Sequence, residues 1–335
     1  METLRERFPL SAGAEHAGIS RTRRSWPRLL GLGAAGALLA AAAIGAFVLH
    51  GFVAARATPL PPASPDLRLA FSDLRPVRIT VTTPSWKKAT EVVTVDALHT
   101  DRTLWRRMHF GDWDTVPRDV RESALATMIG VYAPVFEGPF TWQRMTASDW
   151  DRVPQPIRAM AYLRMIWYWA RVEAVGVEYG LAPRRLAHTI GAIVMTESWF
   201  EHRAVNENQW GNRDLGLAQC SDHCRETLAV MAQNGEVAFV PSEAEYFNPW
   251  IATRVATVWF ERELHRADGD VELAIRAYHR GLDNAMDEKG DEYLARVLRL
   301  RERYVRTQGP SPTWRFVAGQ VARLPASGVS PHRSF

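Results

Sequence analysis

The sequence holds little cysteine, little net charge outside one short segment, and one long hydrophobic run. Two cysteines in 335 residues are too few for a disulfide-built scaffold or a four-cysteine metal site. The formal net charge is +4, and its placement matters more than its size. Residues 1–28 contain Arg5, Arg7, Arg21, Arg23, Arg24 and Arg28 against Glu2, Glu6 and Glu15, so most of the excess sits there. The rest of the chain is nearly neutral, which removes the electrostatic footprint of a nucleic-acid binder. No P-loop, dinucleotide-binding glycine pattern, H-E-x-x-H pair or G-x-S-x-G elbow occurs, so no cofactor is implied. A single apolar run excludes a multi-span membrane protein. A hydrophobic content of 47% with 23% charged residues excludes a wholly disordered chain.

That run, Leu29–Val53, carries no charge, and His50 is its only titratable side chain. As a helix rising about 1.5 Å per residue it exceeds the roughly 30 Å hydrocarbon core of a bilayer. The arginine cluster precedes it, with Trp26 at interface depth. The positive-inside rule then puts residues 1–28 in the cytoplasm and everything after Val53 outside, on the periplasmic or extracytoplasmic side. Ala55-Arg56-Ala57 offers the competing reading, a cleaved signal peptide. The run is much longer than a signal h-region of about 7–15 residues, which favours a single-pass anchor in the cytoplasmic membrane.

Pro59, Pro61, Pro62 and Pro65 then read as a stiff spacer. Val77–Thr83 and Thr90–Val95, on either side of Pro84-Ser85, suggest a small hairpin or strap. From Trp105 the pattern is helical and duplicated. Trp105, Arg107, Met108, Asp112-Trp113-Asp114, Val116-Pro117, Arg121, Ala124, Met128 and Ile129 recur 37 residues later as Trp142, Arg144, Met145, Asp149-Trp150-Asp151, Val153-Pro154, Arg158, Ala161, Met165 and Ile166. An ordered set of this length marks an internal repeat of helix-turn units. Asp114 and Asp151 are expected to cap the helices opened by Pro117 and Pro154. Trp113 and Trp150 are better read as core than as sugar-stacking platforms. A long amphipathic helix is expected from Pro156 to Tyr179, closed by Gly180. The predicted layout is a basic tail (1–28), a transmembrane helix (29–53), a linker with short strands (54–100), the duplicated segment (101–180), a helical domain (181–307) and a mostly irregular tail (308–335). Within that tail Trp314, Phe316 and Val317 remain able to dock on the body.

The helix predicted over Pro183–Ser198 carries the chemistry. Leu186, Ile190, Ile193 and Val194 form its apolar stripe, and Glu197 falls on that same face, beside Trp199 and Phe200. A carboxyl among apolar groups is costly when ionised, and the negative end of the helix dipole adds to that cost. Both effects raise its pKa, the condition a general acid needs near neutral pH. The plain alternative is a helix-end glutamate paired with a base such as Arg203.

Three ordered motifs decide between them: Glu197-Ser198-Trp199-Phe200, then Asp214-Leu215-Gly216-Leu217-Ala218-Gln219, then Ala277-Tyr278-His279-Arg280-Gly281. Together they resemble the catalytic domain of the soluble-type lytic transglycosylases in the lysozyme-like superfamily, whose pattern is E-S, then G-L-M-Q, then A-Y-N-x-G. The resemblance covers roughly residues 182–304. It implies a mainly α, lysozyme-like fold acting on peptidoglycan glycan strands. Glu197 is then the sole catalytic acid/base, with Ser198 hydrogen-bonding near the reacting sugar. Gly216, Leu217 and Gln219 form a loop flooring the cleft, and Tyr278 orients the carboxyl from the opposite side. His279 and Trp199 contact substrate, and Asn248 caps a cleft-wall helix. Ala218 replaces the usual Met, His279 the usual Asn, and Asp214 a frequent Ser. In this family one carboxyl protonates the glycosidic oxygen and then deprotonates the sugar's own 6-hydroxyl, giving a 1,6-anhydro end.

Two other functions stay open. A hydrolase would need a second carboxylate to position a water, from Asp222 or Asp214; otherwise Asp222 is a helix N-cap and Asp214 an Arg-paired loop residue. A non-catalytic wall-binding scaffold would reuse the fold, and the intact Glu197, Ser198 and Tyr278 argue against it. Cys220 and Cys224 lie on the exported side. They can form a short staple if Cys220 precedes a helix and Cys224 sits in its first turn; a zinc site there lacks a fourth good ligand. Trp210, Tyr246 and Trp250 read as cleft wall or core more readily than as stacking platforms.

Overall fold

The computed structural model describes residues 73–83, 87–207, 211–305 and 312–323. The expected membrane helix, the proline-rich spacer and Trp210 lie outside the described residues. Among the described residues no helix is long and apolar enough to cross a membrane.

The chain opens with the expected hairpin. β1 (Pro76–Thr82) pairs antiparallel with β2 (Lys88–Thr94), with Thr80 opposite Thr90. Val77, Ile79 and Val81 alternate inward, the period of a half-buried strand. The duplicated segment follows as two copies of one three-helix unit. The first comprises α2 (Arg102–Arg107), α3 (Phe110–Trp113) and α4 (Arg118–Val131), after a short α1 (Val95–Thr100). The second comprises α5 (Pro139–Arg144), α6 (Ala147–Asp151) and α7 (Gln155–Val172).

The repeat is conformational as well as sequential. The Trp105 indole donates to the Leu98 carbonyl at 2.7 Å, and the Trp142 indole to the Val135 carbonyl at 2.6 Å, each seven residues back. The caps differ from the expectation. Pro117 and Pro154 are themselves the N-caps of α4 and α7, with no side-chain cap from Asp114 or Asp151; the capping boxes are on α3 and α6, where Asp112 and Asp149 accept from the backbone N–H of His109 and of Thr146. They reach back because each sits at the third position of a very short helix. Asp114 instead accepts from the Thr313 N–H, and Asp151 pairs with Arg203 and His202. Trp113 and Trp150 are fully buried, so neither can stack on a sugar. Asp112 has a further role in the first copy: it takes both the N–H and the hydroxyl of Thr82 at 2.8 Å and pins the hairpin to the repeat.

Helix α7 ends at Val172, short of the expected Tyr179. Ala174 adopts a φ of 52° and Gly176 one of 71°, and the chain reaches Gly180 through a separate 3-10 turn, Val177–Tyr179. The remainder comprises α8 (Pro183–Ser198), a ribbon of β3 (Val205–Glu207) and β4 (Arg213–Leu215), α9 (Asp222–Gln233), α10 (Pro249–Arg266), α11 (Val271–Arg280) and α12 (Glu288–Val305). α8 has the expected bounds and packs between α7 and α12, its face of Leu186, Ile190, Ile193 and Val194 wholly buried. α10 crosses α7 through Trp169 and Trp250, whose rings lie 4.2 Å apart, and the Trp169 indole donates to the Trp250 carbonyl.

One stretch of the expected irregular tail is helical. Pro312–Arg323 forms α13, which lies against α7. The composition of 308–335 argued for loop, but burial of Trp314 and Val317 outweighs it. Trp314 stacks on Phe200 at 5.6 Å and meets Phe110 edge-on at 5.4 Å. This helix thus ties the hairpin region to the end of α8.

Candidate active site

Glu197 stands one residue before the end of α8, where the chain reverses sharply. Trp199 and Phe200 both take left-handed backbone, with φ of 51° and 58°. Such conformations cost about 1–3 kcal/mol for residues other than glycine and persist only where the surroundings enforce them. Two contacts do so here. Phe200 is driven into the core against Trp314, and the Gln155 side-chain amide donates to the Trp199 carbonyl at 3.2 Å while its oxygen accepts from the Phe110 N–H at 3.1 Å. The reversal leaves Trp199 outside the core, 54% exposed, beside a sheltered acid.

The Glu197 side chain is 14% exposed. Burial pushes its pKa up to about 7, the nearby Asp214 charge adds to the rise, and a hydrogen bond from Tyr293 opposes it. That bond is short: the Tyr293 hydroxyl donates to Glu197 Oε1 at 2.6 Å. The imidazole of His279 lies nearly parallel to the Tyr293 ring, 4.5 Å away at 6°, and its Nδ1 is 3.8 Å from the same carboxyl oxygen. His279 is 43% exposed, and burial together with Arg280 and Arg296 lowers its pKa. Two ion pairs, Arg276–Asp291 and Arg280–Asp287, bind α11 to α12 and hold the imidazole against the phenol.

Three expectations are corrected by this geometry. The phenol on the carboxyl is Tyr293, not Tyr278. The Tyr278 hydroxyl donates instead to the Ala218 carbonyl at 3.1 Å, though the Glu197 charge still reaches it and, after burial, raises its pKa. Ser198 does not face open space: it is buried, its hydroxyl within 3.0 Å of the Val194 carbonyl and 3.2 Å of the Leu217 carbonyl. It clamps the loop to the helix. Gln219 likewise spends its side chain on the protein, donating to the Gly216 carbonyl at 2.7 Å and accepting from Asn206 at 2.6 Å.

Gly216, Leu217, Ala218 and Gln219 therefore form a tight loop that is bonded at every turn. Gly216 has a φ of 68°, and a side-chain carbon there would overlap the Tyr246 carbonyl oxygen. Leu217 is fully buried beneath it. Cys220 and Cys224 are joined in a disulfide across the entry to α9, with Cys220 before the helix and Cys224 in its first turn. Ser221, not Asp222, caps α9, accepting from the Cys224 N–H at 3.2 Å; Asp222 pairs with Arg225. Asp214, on β4, is half-buried, and burial raises its pKa. Arg203 pairs with Asp151, so it is not the partner of Glu197. Tyr246 and Trp250 are core residues, and Asn248 caps α10 by accepting from the Trp250 N–H at 3.0 Å.

Tyr293 is the site residue missing from the sequence reading. Its one signal was a phenol heading the buried stripe of Leu294, Val297 and Leu300, since a tyrosine so placed must direct its hydroxyl to a polar partner.

A mainly helical body with a sheltered acid at the end of its central helix is the arrangement that the lysozyme-like resemblance implies. Residues 178–295 match the family model of the transglycosylase SLT domain. That segment resembles a domain of the lytic transglycosylase type. No curated protein and no solved structure matches the chain.

Proposed function

We propose that the protein is an exported lytic transglycosylase held at the cytoplasmic membrane by Leu29–Val53, cleaving between N-acetylmuramic acid and N-acetylglucosamine with Glu197 as its one acid/base. The observation that carries this reading is the Glu197 carboxyl: enclosed, gripped by Tyr293 at 2.6 Å, and raised to about 7. A glutamate so held is protonated in a large fraction of molecules at neutral pH and is matched to proton transfer.

In the first step the Glu197 proton passes to the glycosidic oxygen and the bond to the muramic C1 breaks. The N-acetyl group of the same sugar shares the charge that develops there. Glu197, now ionised, takes the proton of the sugar's 6-hydroxyl as O6 bonds to C1. The acid is regenerated, no water is consumed, and the product carries a 1,6-anhydro end. Tyr293 fixes the carboxyl through both steps. Trp199, exposed two residues after the acid, and His279, 3.8 Å from it, supply the contact surface for sugar. The tied loop of Gly216, Leu217, Ala218 and Gln219 forms the floor, with Tyr278 and Ser198 as its anchors.

Asp214 supports a second reading. Its charge reaches Glu197 strongly enough to raise that pKa, and in a hydrolase it would position an attacking water. Asp222 is committed to Arg225 and is the weaker choice.

Mass spectrometry of sacculi digested with the full-length protein in detergent separates these readings. Anhydro ends are expected. Reducing ends would assign the hydrolase, and an absence of soluble fragments the non-catalytic scaffold. Protease accessibility of a C-terminal tag in spheroplasts tests the topology: cleavage from outside is expected, and protection would overturn export.

A further inference from the structure

At the other end of the catalytic helix lies a recess of about 700 Å³ between the first turns of α8 and the C-terminal half of α12. It has no part in the chemistry above. Arg184, Arg185 and His188 line it from α8, and Leu298, Arg301 and Glu302 from α12. Three arginines and a histidine thus share a concavity with one carboxylate.

The recess holds an excess of positive charge, with Glu302 in its lining and Glu272 near enough to act on Arg301 as the acidic groups there. Among the described residues Arg184, Arg185 and Arg301 form no salt bridge, whereas other arginines such as Arg203, Arg276 and Arg280 each hold an aspartate. Arg301 is partly buried, and its pKa is lowered by burial first and by the repulsion of Arg185 second. It donates a long hydrogen bond, 3.5 Å, to the Thr189 hydroxyl. Finally, Arg184 and Arg185 sit at the positive end of the α8 dipole, and no acidic residue occupies that first turn to offset them. Three arginines gathered in one recess with a single carboxylate, Arg301 among them part-buried, are the arrangement of an oxyanion site, because the planar forks of arginine fit phosphate and carboxylate oxygens in pairs.

We infer that this recess binds an oxyanion group, a phosphate ester or a carboxylate, with Arg185 and Arg301 as its principal contacts. The twelve positions from Arg185 to Glu197 span roughly 18 Å of helix. The site is therefore separate from the acid, yet within reach of a group carried on the same extended polymer. The carboxylates of peptide stems and the phosphodiesters of attached wall polymers both supply the chemistry.

The test is isothermal titration calorimetry of the full-length protein in detergent at low salt, with inorganic phosphate in one arm and a short dicarboxylic peptide in the other. Wild type is expected to bind at least one probe, with affinity falling as salt rises. The double variant Arg185→Gln/Arg301→Gln is expected to lose at least tenfold in affinity, while its unfolding temperature without ligand stays level or rises as the repulsion disappears. Phosphate binding alone assigns the phosphodiester source, and peptide binding alone the stem carboxylate. No heat with either probe, or equal affinity in wild type and variant, overturns the site. Neither probe is a glycan, so this result stands or falls independently of the role of Glu197.

Discussion

Tyr293 and Glu197 lie 96 residues apart and share one hydrogen bond of 2.6 Å. The bond joins α12 to α8 and does two things. It fixes the carboxyl in one orientation, and it draws the pKa back down against the burial that raises it. Tyr293→Phe should therefore move the pKa of Glu197 above about 7. The acid form would persist to higher pH, so the basic limb of the pH–rate profile shifts upward. Loss of orientation should lower kcat/KM by about 10-fold or more. A downward shift of that limb would contradict the assignment.

His279 is the second titratable group on the same carboxyl oxygen. Its surroundings are Arg280, Arg296 and Lys289 as cations and Asp287 as an anion, and the balance with burial lowers its pKa. On protonation it places a cation 3.8 Å from Glu197 Oε1. That cation stabilises the carboxylate left after proton donation and weakens it as the base the second step needs. Wild type should thus lose activity on an acidic limb lying below the ordinary imidazole range. His279→Asn, which restores the side chain usual in the family pattern, should remove that limb while keeping the basic one. Rates measured from pH 4 to 9 on one glycan preparation decide this, and an unchanged acidic limb would refute it.

Glu197 also affects stability, with a definite sign. Its folded pKa of about 7 lies above the unfolded value of 4.5. The contribution is fully present below that unfolded value and is lost as pH rises through about 7. The difference is worth about 3 kcal/mol. Glu197→Gln keeps the acceptor for Tyr293 and cannot ionise. Its unfolding temperature should match wild type near pH 4 and exceed it by several degrees at pH 8. A uniform change across that range would mean the carboxyl is ordinary.

Gly216 carries the loop through a φ of 68° with the Tyr246 carbonyl directly against its α-carbon. Gly216→Ala combines a disfavoured backbone with a backbone clash and should cost roughly 3 kcal/mol. Because the loop also anchors Ser198 and Tyr278, glycan cleavage should fall with stability. Thermal denaturation and cleavage assays on the same preparation check both.

How much of this was legible in the sequence depended on whether the deciding contact was local. The bounds of α8 were readable because Pro183 opens the helix and its apolar stripe runs unbroken to Glu197. The repeat was readable because one local device, a tryptophan reaching seven residues back, occurs twice. The end of α7 was not, since the left-handed residue of its C-cap is Ala174, where Val175 N–H reaches back to the Ala170 carbonyl, and alanine does not announce such a position as glycine does. The tail helix was hidden because Trp314 gains its place from Phe200 and Phe110, both distant in sequence. Tyr293 was passed over for the same reason: on its own helix it is one more stripe residue, and only the fold sets it on Glu197. Tyr278 and Ser198, given to the carboxyl and the sugar by resemblance, spend their hydroxyls on the Ala218 and Leu217 carbonyls, partners that only the folded loop brings to them.

The central claim is that Glu197 holds its proton near neutral pH. Carbon-13 NMR of the full-length protein with labelled glutamate, assigned by comparison with Glu197→Gln, follows the carboxyl carbon directly as pH is varied. A midpoint near 7, moving upward in Tyr293→Phe, is the predicted result. A midpoint near 4.5, unchanged by loss of the phenol, would contradict it.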